Sequence, residues 1–596
     1  MKHIGMFRTA LVALVTAAVT LHLQAADIFV TPNGSGEKTG ANWSNALNGS
    51  NDGWHIDIKN AITSAIDGGA EEVNVYLAAG DYTITNQLAL SSITIPVKFC
   101  GGYVGETDGS LALCETKTAI TRTANNVRHI SATSLSSLRI EGITFSNGYI
   151  NAGGAKGGAI YLSDSTSIIS DCVFSGNSIK GSKGFSAAGV GGGGAVAAVN
   201  GSLDLRNCRF NGNYQQGGEQ GSVTWGGAVY ANDVDLTISS CAFNKNYLDA
   251  YKSQYYMFGA AVGTYKGSIS ISECSFAGNY LRAPGKNGGT WAGALAIRNA
   301  TSFRMTDSIV TNCYVASNIN SAWQCGLMLL DDLIESDGIM TSVVERCVFD
   351  SRGVPNNLTF QGSTSKVYVR TDIVLLGGHL SMTNCLVAAM KDKTGNAEGA
   401  IAIRCGTVSK KTGAGAYSYT NTSTPYTAAK SSAELVNCTI ADGTKSGVVR
   451  QVADGYETEL ILKNCIISGN ATAGVINATS IEHSYIQTND DGTWNYEGEG
   501  NLNPNQVGDI NWTGAPYYHL LTKNANGAIT NGWFSGTFES PKTAADSPCI
   551  DAGAPGSLGL DLEPYYSGRR VNIGAYGGTP WASKTSPIPG FKLIIR

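Results

Sequence analysis

The 596-residue chain is predicted to fold as a single all-β solenoid of parallel strands, three to a rung, with an N-terminal cap that contains a short helix. Trp225, Phe258 and Trp291 stand 33 residues apart, and each opens a small-residue strand start: Trp225-Gly-Gly-Ala-Val229, Phe258-Gly-Ala-Ala-Val262 and Trp291-Ala-Gly-Ala-Leu295. Cys208, Cys241 and Cys274 keep the same 33-residue step. A fixed period of this size marks stacked units, none of which buries its apolar face until a neighbour covers it. Glycine supplies 74 residues and charged residues only 15 %, which favours tight turns between strands over long helices or disorder.

Taken in chain order, residues 1–25 read as an export signal: Lys2 and Arg8 precede an apolar stretch from Ala10 to Leu23, then small residues at Ala25 and Ala26. No later segment offers about 18 consecutive apolar residues, so no transmembrane segment is expected in the mature chain. Residues 26–125 are assigned to the cap and first rungs. Ile58, Ala61, Ile62, Ala65 and Ile66 fall at helical spacing, and strands follow at Val73 to Leu77 and from Tyr82. A cap is physically required, because an open solenoid end exposes apolar side chains and unpaired strand edges.

Residues 126–485 carry the repeats. Aligned on cysteine they read apolar, x, apolar, x, x, Cys, x, Phe, x, x, Asn, as in Leu203, Leu205, Cys208, Phe210, Asn213 and again in Leu236, Ile238, Cys241, Phe243, Asn246. Alternation of period two means strand, and the polar pair before Cys marks a corner at which the inward parity resets. A further strand begins at Gly-Gly-Ala-Val. Asn at the Phe-x-x-Asn place suits a turn and can hydrogen-bond to its counterpart one rung away. In the rung near residue 308, Ser308, Val310 and Cys313 stand in the Cys, Phe and Asn places. Cys172, Cys208, Cys241, Cys274, Cys347, Cys385, Cys438 and Cys465 share one repeat position, so an interior column of small apolar thiols is expected rather than a disulfide framework. The pairs nearest in sequence are Cys100 with Cys114, Cys313 with Cys325, and Cys385 with Cys405.

Eleven residues separate each Asn from the next aromatic strand start, Tyr247 to Met257 for example, and are expected to form a variable loop on one side of the stack. Residues 486–596 are assigned to the C-terminal rungs and a closing module.

The pairing of Gly-Gly-Ala-Ile/Val (Gly157 to Ile160, Gly193 to Val196, Gly226 to Val229) with Phe-x-x-Asn (Phe174 to Asn177, Phe210 to Asn213) resembles the repeats of polymorphic outer-membrane proteins. The Trp43 segment, the helix and Gly101-Gly-Tyr-Val-Gly-Glu106 resemble the opening of secreted β-helix proteins of Bacteroidota type. Ser547-Pro-Cys-Ile-Asp-Ala-Gly553 with Arg570-Val-Asn-Ile-Gly-Ala-Tyr576 resembles a choice-of-anchor module. These resemblances imply a right-handed parallel β-helix of pectin-lyase-like type, export to the medium or cell surface, and adhesion; the same fold hosts lyases and hydrolases.

A formal charge of -5 leaves no basic footprint for nucleic acid. The expected partner is a polysaccharide or a cell-surface glycan or protein, bound along a rigid face by aromatic rings and amides. Candidate ligand-binding residues are Tyr247, Tyr251, Tyr255, Tyr256 and Arg282 of the intervals, with Trp225 and Trp291 of the aromatic column. That column has two readings. Each ring precedes an inward Val or Leu by four positions, which puts it in the core if the strand is unbroken, and on an exposed ladder otherwise. A lyase would need a neutralising group such as Ca2+ and a basic residue to take the proton. The best local mixture for it is Asp331, Asp332, Asp337, Arg346, Asp350, Arg352 and Arg370, headed by Asp331, Asp332 and Arg346, yet no repeated spacing sets these on one strand face. No cofactor or metal site is expected: the seven histidines are scattered, and the Gly-rich runs lack the Lys-Ser/Thr ending of a phosphate loop. Binding or adhesion is the leading expectation, with a polysaccharide lyase or glycoside hydrolase, or a structural spacer, as alternatives.

Overall fold

Equivalent positions in successive repeats meet as parallel strands: Val229 pairs with Val262, Leu236 with Ile269, Phe243 with Phe276 and Tyr247 with Tyr280. The computed structural model describes residues 25–50, 52–105, 111–181, 191–217, 223–249, 256–283, 289–290, 292–317, 325–331, 339–360, 363–368, 371–390, 399–404, 408–410, 417–419, 430–452, 457–513, 515, 518–522, 528–530, 537–539, 545–564 and 570–583. The stack is a right-handed parallel β-helix, the hand that parallel crossovers take. In the central rung a long face takes Val229–Asn232 and Asp235–Ser239, a second face Ala242–Asn244, and a third Tyr247–Asp249. A short fourth strand, Tyr256–Phe258, leads into the next rung.

Strands are distributed among these faces differently from the sequence-based expectation. The Gly-Gly-Ala-Val and Leu-x-Ile segments, counted there as separate strands, share the long face and fuse at Ile160–Ser170 and Val196–Arg206. The third face comes from residues expected to be loop: Tyr214–Gln216, Tyr247–Asp249 and Tyr280–Ala283. The Asn turn is so tight that the chain re-enters the stack at the next residue and buries Leu248 and Leu281. An antiparallel hairpin, Asn357–Phe360 with Ser363–Tyr368, ends this face by pairing with Tyr314–Ser317.

Corners and core repeat as faithfully as the strands. The residue before each column cysteine adopts a left-handed backbone, with φ of 50° at Asn207, 52° at Ser240, 54° at Glu273 and 50° at Arg346, as does Asp307 before Ser308 at 51°, which turns the chain without interrupting the pairing. Phe174, Phe210, Phe243 and Phe276 stack at centroid distances of 4.8, 4.6 and 4.9 Å. Asn177, Asn213, Asn246 and Asn279 form a buried amide ladder, each Nδ2 giving to the next Oδ1 at 3.0 Å. Cys208 Sγ donates to the carbonyls of Ile169 and Arg206, and all eight cysteines of the column are buried and unbridged. Ser308 takes over the cysteine role, its Oγ accepting from Cys274 N at 3.0 Å, and Cys313 Sγ receives the Asn279 amide at 3.7 Å. Cys100 and Cys114 are free; Cys405 and the side chain of Cys325 lie outside the described residues.

Both ends are covered. The helix Trp54–Asp67 starts earlier than the apolar spacing suggested and buries Trp54, Ile58 and Ile62 against the first rungs, with Trp54 Nε1 bonded to Asn86 O at 2.8 Å. At the other end the chain folds back over the outer side of the second face, where Tyr518, Ala575 and Tyr576 pack on Leu386, Ala388 and Ala441. Corner asparagines hold it: Asn384 Nδ2 gives to Ala575 O and Gly577 O, and Asn464 Oδ1 accepts from Ala554 N.

Candidate functional site

The aromatic column is neither in the main core nor exposed. Trp225 and Phe258 stack at 4.1 Å and are 3 % and 4 % exposed, but they lie in a second apolar layer outside the long face, with Ala197, Tyr230 and Ala296. Inward parity is not carried past Gly226, whose φ of +61° breaks the strand between Trp225 and Val229 and turns the ring to the opposite side. Trp291, Tyr251, Tyr255 and Asp332 lie outside the described residues, as does the side chain of Tyr256.

Of the remaining predicted residues, Tyr247 is half-buried in a ladder on the third face, stacked between Tyr214 at 4.8 Å and Tyr280 at 5.0 Å, with planes within 4° and 7° of parallel. Each ring covers its neighbour's face, so the ladder offers hydroxyl edges rather than flat surfaces. Arg282 is 5 % exposed and grips Asp249 of the preceding rung with Nε at 3.0 Å and Nη2 at 2.8 Å. Arg346 occupies a corner and pairs with Asp307 at 2.6 and 2.7 Å. Asp331 Oδ2 accepts from Met340 N, and the five residues of Thr341–Glu345 run extended from Met340 to Arg346, so these two candidates stand about 20 Å apart. Elsewhere in that acidic and basic mixture, Arg352 chelates Asp350. Asp372 is enclosed nearby, its Oδ1 bonded to Ser351 Oγ at 2.6 Å and its Oδ2 without a partner; burial pushes its carboxyl up to about 8. Among the described residues no three His, Cys, Asp or Glu side chains converge as a metal site.

The arrangement best suited to a ligand lies on the outer side of the long face. Outward positions one and three residues after each inward strand start fall into two columns: Tyr161, Ala197, Tyr230, Gly263, Ala296, and beside it Asn232, Tyr265, Arg298. Large rings sit over small neighbours. A Cβ on Gly192 would lie 2.3 Å from the Tyr230 ring, and one on Gly263 3.3 Å from Trp225. Cations cover the half-buried rings: Arg128 stands 5.2 Å from the Tyr161 centroid, Arg298 5.5 Å and Lys266 5.7 Å from that of Tyr265. Sequence reasoning passed over Tyr161, Tyr230, Tyr265, Arg128, Arg298 and Lys266 because it followed the inward parity. The complementary positions of the same strands held the signal.

No family model matches the chain, and no curated protein matches it. Among solved structures it is similar to pectate lyase Pel9A, at 12 % identity and a TM-score of 0.30 over 93 % of this chain and 97 % of that one. It is also similar to the A-module of the Azotobacter vinelandii mannuronan C-5 epimerase AlgE4, at 11 % identity and a TM-score of 0.29 over 73 % of this chain and 94 % of that one. Neither likeness bears on what this chain binds or does.

Proposed function

We propose that this chain is an exported, surface-exposed β-helix protein that binds glycans along the outer side of its long face. The observation that carries the reading is the strip of half-buried tyrosines flanked by cations, with Tyr161 and Tyr265 three rungs apart, about 14 Å along the stack. A strip of that length, fixed by strand register, suits an oligosaccharide rather than a single sugar ring. The ring area and hydroxyls left open beside the cations meet the apolar side of a sugar, and the charged nitrogens donate to hydroxyls or to acidic substituents. Export rests on the terminal pattern of Lys2, Arg8, the apolar stretch and Ala25. No helix among the described residues is long and apolar enough to cross a membrane.

A glycan array probed with the mature chain tests the reading. Retention of a subset of polysaccharides is expected, weakened about tenfold by Tyr265→Ala, which corresponds to about 1.4 kcal/mol. Retention indifferent to Tyr265→Ala, or release of unsaturated or reducing-end products from the bound polymer, would replace binding on this strip by another site or by turnover.

A further inference from the structure

At its N-terminal end, the rung of Ile160–Ser170, the strip changes from aromatic to cationic. Lys156 bridges in register to Gly192, and Gly192 pairs with Trp225, so Lys156 stands at the head of the column that Trp225 and Phe258 continue. Beside it Arg128 lies over Tyr161, and Arg128 Nε is enclosed with no acceptor. Among the described residues, neither cation forms an ion pair or a hydrogen bond, although both are half-buried. Burial pulls the Arg128 guanidinium down to about 10, so it stays charged at neutral pH, with the Tyr161 hydroxyl the one group favouring its charge. Lys156 is lowered by burial and then by the charge of Arg128. Among the described residues no carboxylate acts on either group. Two like charges held together and partly dehydrated, in a chain of net charge -5, cost stability unless an anion joins them.

Resting on the glycan-binding reading above, we infer that Arg128, Lys156 and Tyr161 form an anion subsite that selects acidic polysaccharides through a carboxylate or sulfate group. Guanidinium and ammonium donate to the oxyanion, and the tyrosine ring lies beside the sugar that carries it. Through the buried rings of Tyr230 and Trp225 the subsite is continuous with half-buried Tyr265, which favours a glycan over a peptide. The same oxyanion chemistry serves carboxylates and sulfates, and the polymer distinguishes them.

The test uses the mature chain with dextran, carboxymethyl-dextran and dextran sulfate, which share one backbone. The parent is expected to hold at least one anionic polymer about tenfold more tightly than dextran. Arg128→Gln with Lys156→Gln is expected to abolish that preference, whereas Lys59→Gln with Lys245→Gln, which removes as much charge from exposed positions elsewhere, keeps it. Without ligand, Arg128→Met is expected to melt no lower than the parent, because an unpaired half-buried cation has gone; a large fall would make Arg128 a structural residue and overturn the inference. A preference that survives the double variant, or no preference at all, overturns it too. Glycan retention sensitive to Tyr265→Ala but blind to charge defeats the subsite alone; absence of retention on any glycan defeats the function it rests on.

Discussion

Asn213 shows how much one side chain does in a stacked rung. Its Oδ1 accepts from the N and Nδ2 of Asn177, and its Nδ2 gives to Phe174 O and Asn246 Oδ1, all in the interior. Truncation orphans several buried groups at about 1–3 kcal/mol each. Asn213→Ala is therefore expected to lower the unfolding free energy by about 3 kcal/mol, and Asn244→Ala, whose amide reaches only half-exposed Asn211, by less than about 1 kcal/mol. Denaturant titration of the two variants compares them; equal losses would deny the ladder its special weight. The ladder was legible in the sequence because Asn recurs at the rung period beside Phe. The Asp249–Arg282 pair was not, although its members also stand 33 residues apart, because both were counted as loop.

At the scale of the element, Gly226 and Gly212 have the same φ of +61° in different surroundings. A Cβ at 226 would lie 1.9 Å from Val229 O, and one at 212 would meet nothing within 4 Å. Gly212→Ala carries only the backbone cost of about 1–2 kcal/mol, while Gly226→Ala must also displace the strand start. A loss above about 4 kcal/mol, or failure to accumulate folded protein, is expected for Gly226→Ala alone. Thermal melting decides between them, and similar midpoints would mean that the break before Val229 is not what steers Trp225 outward. Period-two reasoning located the inward residues of every strand it examined. It stopped at Gly226, where handedness of a single residue reverses the face, and so it did not separate the outer layer from the core.

For the whole molecule, stability depends on its ends. Ile58 is fully buried where the helix meets the first rungs. Ile58→Asp places an unpaired carboxylate at that seal and is expected to cost more than about 3 kcal/mol, with end-to-end association as the helix detaches. Light scattering during size-exclusion chromatography measures this; a monodisperse variant melting like the parent would show that the helix is dispensable. The need for a cap followed from the repeat itself, and helical spacing found its position. The return of the C-terminal segment across the second face left no such trace, since the contacts of Asn384 and Asn464 with residues 554–577 join stretches that share no period.

The constant register of the central rungs makes length a variable that is separate from folding. Val229–Asn232 and Val262–Tyr265 occupy interchangeable positions, each continuing the pairing of the other. Misaligned recombination between two such coding units would add or remove a whole turn of about 4.8 Å while every remaining joint still fits. A lineage carrying this gene can therefore adjust reach and the number of contact points in discrete steps, without first passing through a misfolded intermediate.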